Sequence, residues 1–328
     1  MFPGKLKTLF TLGALVLTAG AAGTAHADPD FPTRAVRIIS PFSPGGATDV
    51  LARVLAHHLN EKWQQSVVVE NRAGAGGVIA AQAVARSTPD GYTLLLGSVG
   101  PMEVLPSLIK DLPYDPIKDF SPISMLVDVE NVLVVNNAVP AKSVQELLAL
   151  IKQKPGALHF GSSGIGTTGH LAGEVFKQQA GLDMVHVPYK GGAPAANALL
   201  AGDVEMSFAT VPSVVGHVRS GKLRALAVTG AKPLSALPGV QPLKDQGVPN
   251  YAVASWYGLL APANTPKDVV AKIHQDVQEI LAMPKVQATL LEQGWTTVHA
   301  STEFMAEQIR KGIPHWRDIL EKAGVRVE

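Results

Sequence analysis

Two glycine- and hydroxyl-rich turns hold most of the side chains able to do chemistry. Pro41-Phe42-Ser43-Pro44-Gly45-Gly46-Ala47-Thr48-Asp49 joins a short apolar run to an amphipathic one. Gly161-Ser162-Ser163-Gly164-Ile165-Gly166-Thr167-Thr168-Gly169-His170 occupies the same setting further along the chain. Glycine lets the backbone approach a ligand, and open N–H groups in a first helical turn favour an anion. Gly45, Gly46 and Thr48 in the first turn are therefore candidate ligand contacts. The second turn offers four hydroxyls and several open N–H groups, with no charged side chain before His170. That chemistry suits a carboxylate held by neutral donors. His170 reads equally well as a donor to such a ligand or as a satisfied local group. Asp49 and Arg53, an acid four residues before a base, read as a pair along one helix face.

Catalytic and cofactor patterns fail on their companions. Gly164, Gly166 and Gly169 spell GxGxxG, but a dinucleotide site also needs an acid ending the next strand about 20 residues on. That strand runs into Val187-Pro188-Tyr189-Lys190-Gly191-Gly192, so no cofactor is expected. Ser107-Leu108-Ile109-Lys110 matches SxxK without its SDN and KTG partners. GxSxG, HExxH and P-loop motifs do not occur. His57 and His58 are neighbours expected to point to different sides of their helix, and no metal site is expected. With no acid/base pair to assign, the chain reads as a binding protein. A hydrolase or lyase is one rival; a sensing or scavenging receptor is the other.

The elements that must position these turns are short apolar strands alternating with helices. Val36 to Ile39 precedes the first turn. A helix from about Ala47 to Lys62 follows, its apolar stripe being Val50, Leu51, Val54, Leu55 and Leu59. Val67 to Val69, a Gly-rich turn at Gly74 to Gly77, a helix through Arg86 and a strand from Tyr92 to Leu96 complete a first unit. A second begins at Val132 to Val135 and runs through strands near Leu158, Met184, Met206 and Leu223. Such alternation predicts an α/β fold of mainly parallel sheets flanked by helices. Three C-terminal helices, from about 267, 285 and 302, are expected to pack back on the first unit, with Pro314 kinking or breaking the last. The chain would then cross between units near 122–132 and 249–256, and two crossings make a hinge. The expected lobes are 28–128 with 250–328, and an inserted 129–249.

Composition narrows the class. Lys5 and Lys7 precede an uncharged run from Leu9 to Ala22, and Ala25-His26-Ala27 reads as a signal-peptidase site. Cleavage there predicts a soluble periplasmic protein. It also turns the formal net charge from +1 to about −1, because residues 1–27 hold two lysines and no acid. No basic cluster suggests nucleic acid, and no later run is long enough to span a membrane. Cys is absent, which excludes a lipidated cysteine, disulfides and thiolate metal sites.

Several stretches, in order along the chain, carry a resemblance: 41–49, Val69-Glu70-Asn71-Arg72-Ala73-Gly74-Ala75-Gly76-Gly77, 89–95, Tyr114 to Phe120, 160–166 with His170, His186 to Gly192, 221–229 and the Trp256 strand. Together they resemble the Bug-type extracytoplasmic solute receptors, the substrate-binding component of tripartite tricarboxylate transporters (TTT). The resemblance implies a two-lobed Venus-flytrap fold, a small carboxylate as ligand and a TTT-type membrane permease as partner. A monomer is expected. It implies that the turn with Ser43, Gly45, Gly46, Ala47 and Thr48 and the turn with Ser162, Ser163, Gly166, Thr167 and His170 grip one carboxylate. Variable positions would read the rest of the ligand: Ser98 to Met102, Tyr189, Lys190, Gly191 and Ala209-Thr210. Members often carry an acid or amide after the strand ending at Phe208, where this chain has Ala209-Thr210-Val211. That departure removes a partner for a ligand ammonium and favours a non-amino carboxylate.

Overall fold

The computed structural model describes residues 31–249, 251 and 253–325; the expected signal peptide lies outside them. Strand β1 (Val36–Ser40) feeds helix α1 (Ala47–Trp63), then β2 (Val67–Asn71), α2 (Val78–Ala85) and β3 (Thr93–Ser98). β1 pairs in parallel with both β2 and β3. A π-helical turn at Gly100–Val104 and the short α3 (Leu105–Leu108) follow. The helical spacing of Leu51, Leu55 and Leu59 puts all three on the buried face of α1. Each contributes about 1.5–3 kcal/mol by leaving water, while Val50 and Val54 sit at the edge of that core.

Strand β4 (Phe120–Asn136) is the longest element of the sheet, at 17 residues. Its first part pairs with β9 (Ala254–Pro262), and from Asn131 onward it pairs instead with β7 (Met206–Thr210) and β8 (Leu223–Val228). Beyond lie α4 (Val144–Gln153), β5 (His159–Ser162), α5 (Thr168–Ala180), β6 (Val185–Pro188), α6 (Gly192–Ala201) and α7 (Val211–Arg219). β5 pairs in parallel with β6 and β7. The fold is two-lobed α/β, its described strands ordered β2-β1-β3-β9-β4-β7-β5-β6. The expected parallel pairing holds in the outer part of each lobe. It gives way to antiparallel pairing at β4 and β9, because strands that bridge two lobes run against their neighbours rather than through a βα crossover. The return path is bonded to the outward one: the Thr229 hydroxyl accepts from Asn131 N–H and donates to the Val253 carbonyl at 2.8 Å.

Helices α8 (Lys267–Leu281), α9 (Pro284–Glu292) and α10 (Thr302–Ala323), with the short β10 (Trp295–Thr297), pack on the first lobe. Trp63 at the end of α1 donates to Asp276 of α8 at 2.6 Å, and Lys62 pairs with Glu279. Of the kink or break expected at Pro314, the break does not occur, and α10 is one helix of 22 residues. Proline removes one backbone donor there, but Ile309, Gly312, Trp316 and Leu320 stay buried on one stripe, and their packing outweighs that loss.

Candidate functional site

Four helices begin at one place. α1 from the first lobe and α5, α6 and α7 from the second all start at the carboxyl ends of strands, where open α/β sheets bind ligands. Their N-terminal residues Gly46, Thr167, Gly191 and Thr210 make no side-chain cap bond. Two of these could cap and do not. Thr167 Oγ1 donates to the Gly164 carbonyl at 2.7 Å, and Thr210 Oγ1 lies 2.9 Å from Ser213 Oγ. Among the helices that start elsewhere, α4 and α10 are capped by Ser143 and Ser301, while α8 and α9 lack a side-chain cap. The first-turn N–H groups of the converging helices therefore remain available to an acceptor.

They surround a cavity of about 30 Å³, which is room for two oxygen-sized groups. Gly46, Ala47, Thr48, Ser98, Ser163, Thr167 and Thr210 line it, with no charged side chain. Ser40 donates to Thr48 Oγ1 at 3.1 Å, so the Thr48 hydroxyl proton is free to point into the cavity. Sequence reasoning also missed lining residues: Phe42, Gly192, Phe208, Ser213, Ser255 and Tyr257. Ser213 follows an unread helix start, since Thr210 with Pro212 two residues on is an N-terminal signal. Burial pushes the Tyr257 hydroxyl well above its ordinary range, so it stays a neutral donor.

Other expected contacts have different duties. Ser43 N–H and Oγ both donate to the Lys190 carbonyl, at 3.1 and 2.7 Å, tying the lobes together. The Lys190 side chain is exposed, and Tyr189 packs beside Gly161. Gly45 N–H is taken by Asp49, which also pairs with Arg53 at 2.9 Å. Gly191 has φ +136°, and a Cβ there would lie 3.0 Å from Ser43 N. Glycine is required at this contact between lobes. Ser162 Oγ meets His186 Nε2 at 2.7 Å, beneath the turn. His170 does not line the cavity. It is 6% exposed, stacked on His186 with centroids 4.2 Å apart, and its Nδ1 accepts from Gly166 N–H at 3.3 Å. Desolvation lowers its pKa to about 4 and that of His186 to about 3. His57 and His58, expected on different sides of α1, instead bring their rings to 4.9 Å. Consecutive helix positions diverge, but both side chains turn down one helical turn toward Glu61.

The π turn that carries Gly100 into the cavity sends Glu103 the other way. Glu103 is 1% exposed and accepts from the indoles of Trp256 at 2.7 Å and Trp316 at 3.0 Å. Gly312 of α10 leaves it the space. Burial pushes its carboxyl up from 4.5 to about 7. Between those values the folded protein holds a proton that the unfolded chain has lost, so this group's contribution to stability falls as pH rises through the window. Glu103→Gln should remove that slope. The unfolding free energy of wild type minus variant should drop by about 3 kcal/mol from pH 4.5 to 8 in urea titrations. Parallel profiles would mean that the carboxyl is already ionised at the lower pH.

Comparison with known proteins fits this geometry. Residues 51–325 match the TctC profile, described as the tripartite tricarboxylate transporter family receptor. Protein BugT of Bordetella pertussis is 37% identical over 323 residues, covering 98% of this chain and 99% of the relative. An R. palustris protein solved with adipate superposes with a TM-score of 0.89 at 36% identity, over 90% of this chain and 99% of its own. MatC from Rhodopseudomonas palustris, solved with bound malate, gives 0.84 at 29% identity, over 88% and 100%. The chain belongs to the tripartite tricarboxylate transporter receptor family, whose members are substrate-binding receptors and not enzymes.

Proposed function

We propose that this chain is a periplasmic receptor that captures a small non-amino carboxylate between its lobes and delivers it to a TTT-type membrane permease. The observation that carries the reading is the convergence of four uncapped helix N-termini on a cavity without a charged side chain. Each terminus adds only about 0.3–2 kcal/mol to anion binding. Affinity then rests on several hydrogen bonds made together in a dry, closed cleft. The closed lobes are favoured because only they bring α1 and α5 to one anion. The carboxylate contacts are Gly46, Ala47, Thr48, Ser163 and Thr167, with Ser98, Thr210 and Tyr257 facing the ligand body. Residues 28–128 with 250–328 form one lobe and 129–249 the other, and the hinge lies at Asn131 and Val253.

Adipate and malate, bound by two relatives, are the first acids to try here. Neither carries an amine, and the lining offers no carboxylate to an ammonium. Either acid is larger than a 30 Å³ cavity holds, so binding requires the lobes to stand further apart than they do here. Calorimetry and thermal shift with mono-, di- and tricarboxylates, aromatic acids and amino acids test the proposal. A cleft ligand at 100 times its Kd should stabilise by about 2.7 kcal/mol. If no acid binds and none co-purifies, the receptor reading is lost. Tighter binding of an amino acid than of its deaminated counterpart would overturn the non-amino assignment. Uptake that survives deletion of the candidate permeases would favour a sensing or scavenging receptor instead.

A further inference from the structure

The pair His57-His58 takes no part in the carboxylate cavity, although it sits on the helix that opens it. It lies ten residues past Ala47, about 15 Å along the axis of α1 at 1.5 Å per residue. His57 Nε2 is 3.6 Å from Glu61 Oε1, and His58 Nδ1 is 3.4 Å from Glu61 Oε2. One ligand atom from each of the three residues lies within 4.8 Å of the others. Bonds of about 2.0–2.2 Å in a tetrahedral zinc site put any two ligand atoms roughly 3.4 Å apart. The two measured distances end on different carboxylate oxygens, and a set with one atom from each residue, now within 4.8 Å, closes to that value by side-chain rotation.

We propose that His57, His58 and Glu61 form a surface site for a borderline divalent transition metal such as zinc. Two imidazoles with one carboxylate suit zinc, copper or nickel. They do not suit magnesium or calcium, which take oxygen ligands. A tetrahedral ion would keep one position for water. The cations nearby do not defeat this. Arg53 is neutralised by Asp49, and Lys62 is engaged with Asp276 and Glu279. Lys285, which shares a surface groove with both histidines, is a long side chain free to turn towards water.

Calorimetric titration of the tag-free mature protein with zinc chloride tests the site. One ion per chain is expected, with no heat from magnesium or calcium. His57→Ala, His58→Ala and Glu61→Gln should each weaken zinc binding by at least the roughly 10-fold that even outer-shell changes cost. His57 and Glu61 are exposed, so in their variants circular dichroism and melting temperature should match wild type and separate lost ligation from misfolding; His58 is half-buried, and its variant is read against those two. Absence of zinc binding would overturn the proposal. So would zinc binding that keeps its stoichiometry and affinity in all three variants, since the ion would then sit elsewhere.

Discussion

Replacing Gly46 with leucine should lower affinity for the carboxylate ligand by about 100-fold and leave the melting temperature of the ligand-free protein almost unchanged. Gly46 has φ −82° and ψ 173°, extended backbone that any residue adopts. Folding therefore does not require glycine here. Closure does. A Cβ at Gly46 would lie 3.5 Å from Gly192 N and 3.7 Å from Ala193 N on the opposing lobe. Alanine fits at those distances, but the atoms beyond Cβ enter the space between the two helix starts. The lobes then stop short of the geometry in which α1 and the second-lobe helices share one anion. Losing about three hydrogen bonds at roughly 1 kcal/mol each amounts to about 100-fold. Gly191 is a poorer test, since its φ of +136° strains any side chain whatever the lobes do. Lys190→Ala is the control. Its backbone carbonyl, not its ammonium, receives Ser43, so affinity should stay within about twofold. Isothermal titration of Gly46→Ala, Gly46→Leu and Lys190→Ala checks all three. Wild-type affinity in Gly46→Leu would move the ligand away from the α1 terminus.

The parts of this arrangement written in local patterns were legible in the sequence. The stripe of α1 follows from helical spacing, and the two Gly-rich turns follow from strand–turn–helix order. What was not legible depended on which distant strands meet. Ser255 and Tyr257 sit in an apolar run that reads only as a buried strand, and their hydroxyls matter because β9 lies between β3 and β4. Only the end of β4 reads as a strand, at Val132 to Val135, because Asp128 and Glu130 interrupt the apolar pattern before it and 122–132 reads as a crossing. The family resemblance makes Ser43 and Lys190 expected ligand contacts. Their actual bond runs between lobes, 147 positions apart in the chain. His170 read equally well as a ligand donor or as a satisfied local group, and it is the second: its Nδ1 accepts from Gly166 N–H and its ring is sealed against His186, which stacks in turn on Phe160.

That seal makes the histidine pair the expected source of acid sensitivity. His170 and His186 are held neutral, first by desolvation and, for His186, by repulsion from His170 and Lys177. Gly166 N–H donates to His170 Nδ1, a bond that protonation of that nitrogen would replace with two opposed donors. Both pKa values lie below the ordinary 6.5, at about 4 and about 3. The stability this contributes is complete above pH 6.5 and is lost as pH falls toward the folded values, because the unfolded chain takes up the protons first. Between pH 8 and pH 4 the loss is on the order of 3–6 kcal/mol. That is a large share of the 5–15 kcal/mol that holds a typical domain, and it is opposite in sign to the slope from Glu103. His170→Gln with His186→Gln places neutral groups at both positions. The double variant should lose some stability at pH 8, where native packing is perturbed, and should unfold at a lower pH than wild type does. Urea titrations at half-unit steps from pH 8 to pH 4 read both effects. Because His170 braces Gly166 in the turn that presents Ser163 and Thr167, ligand affinity in wild type should fall as pH nears the folded value of about 4, where the ring itself takes up a proton. In the double variant only the loss due to protonation of the ligand's own carboxylate should remain. An acid midpoint unchanged by the two substitutions would place the sensitivity in other groups and leave the turn braced by its Thr167–Gly164 bond alone.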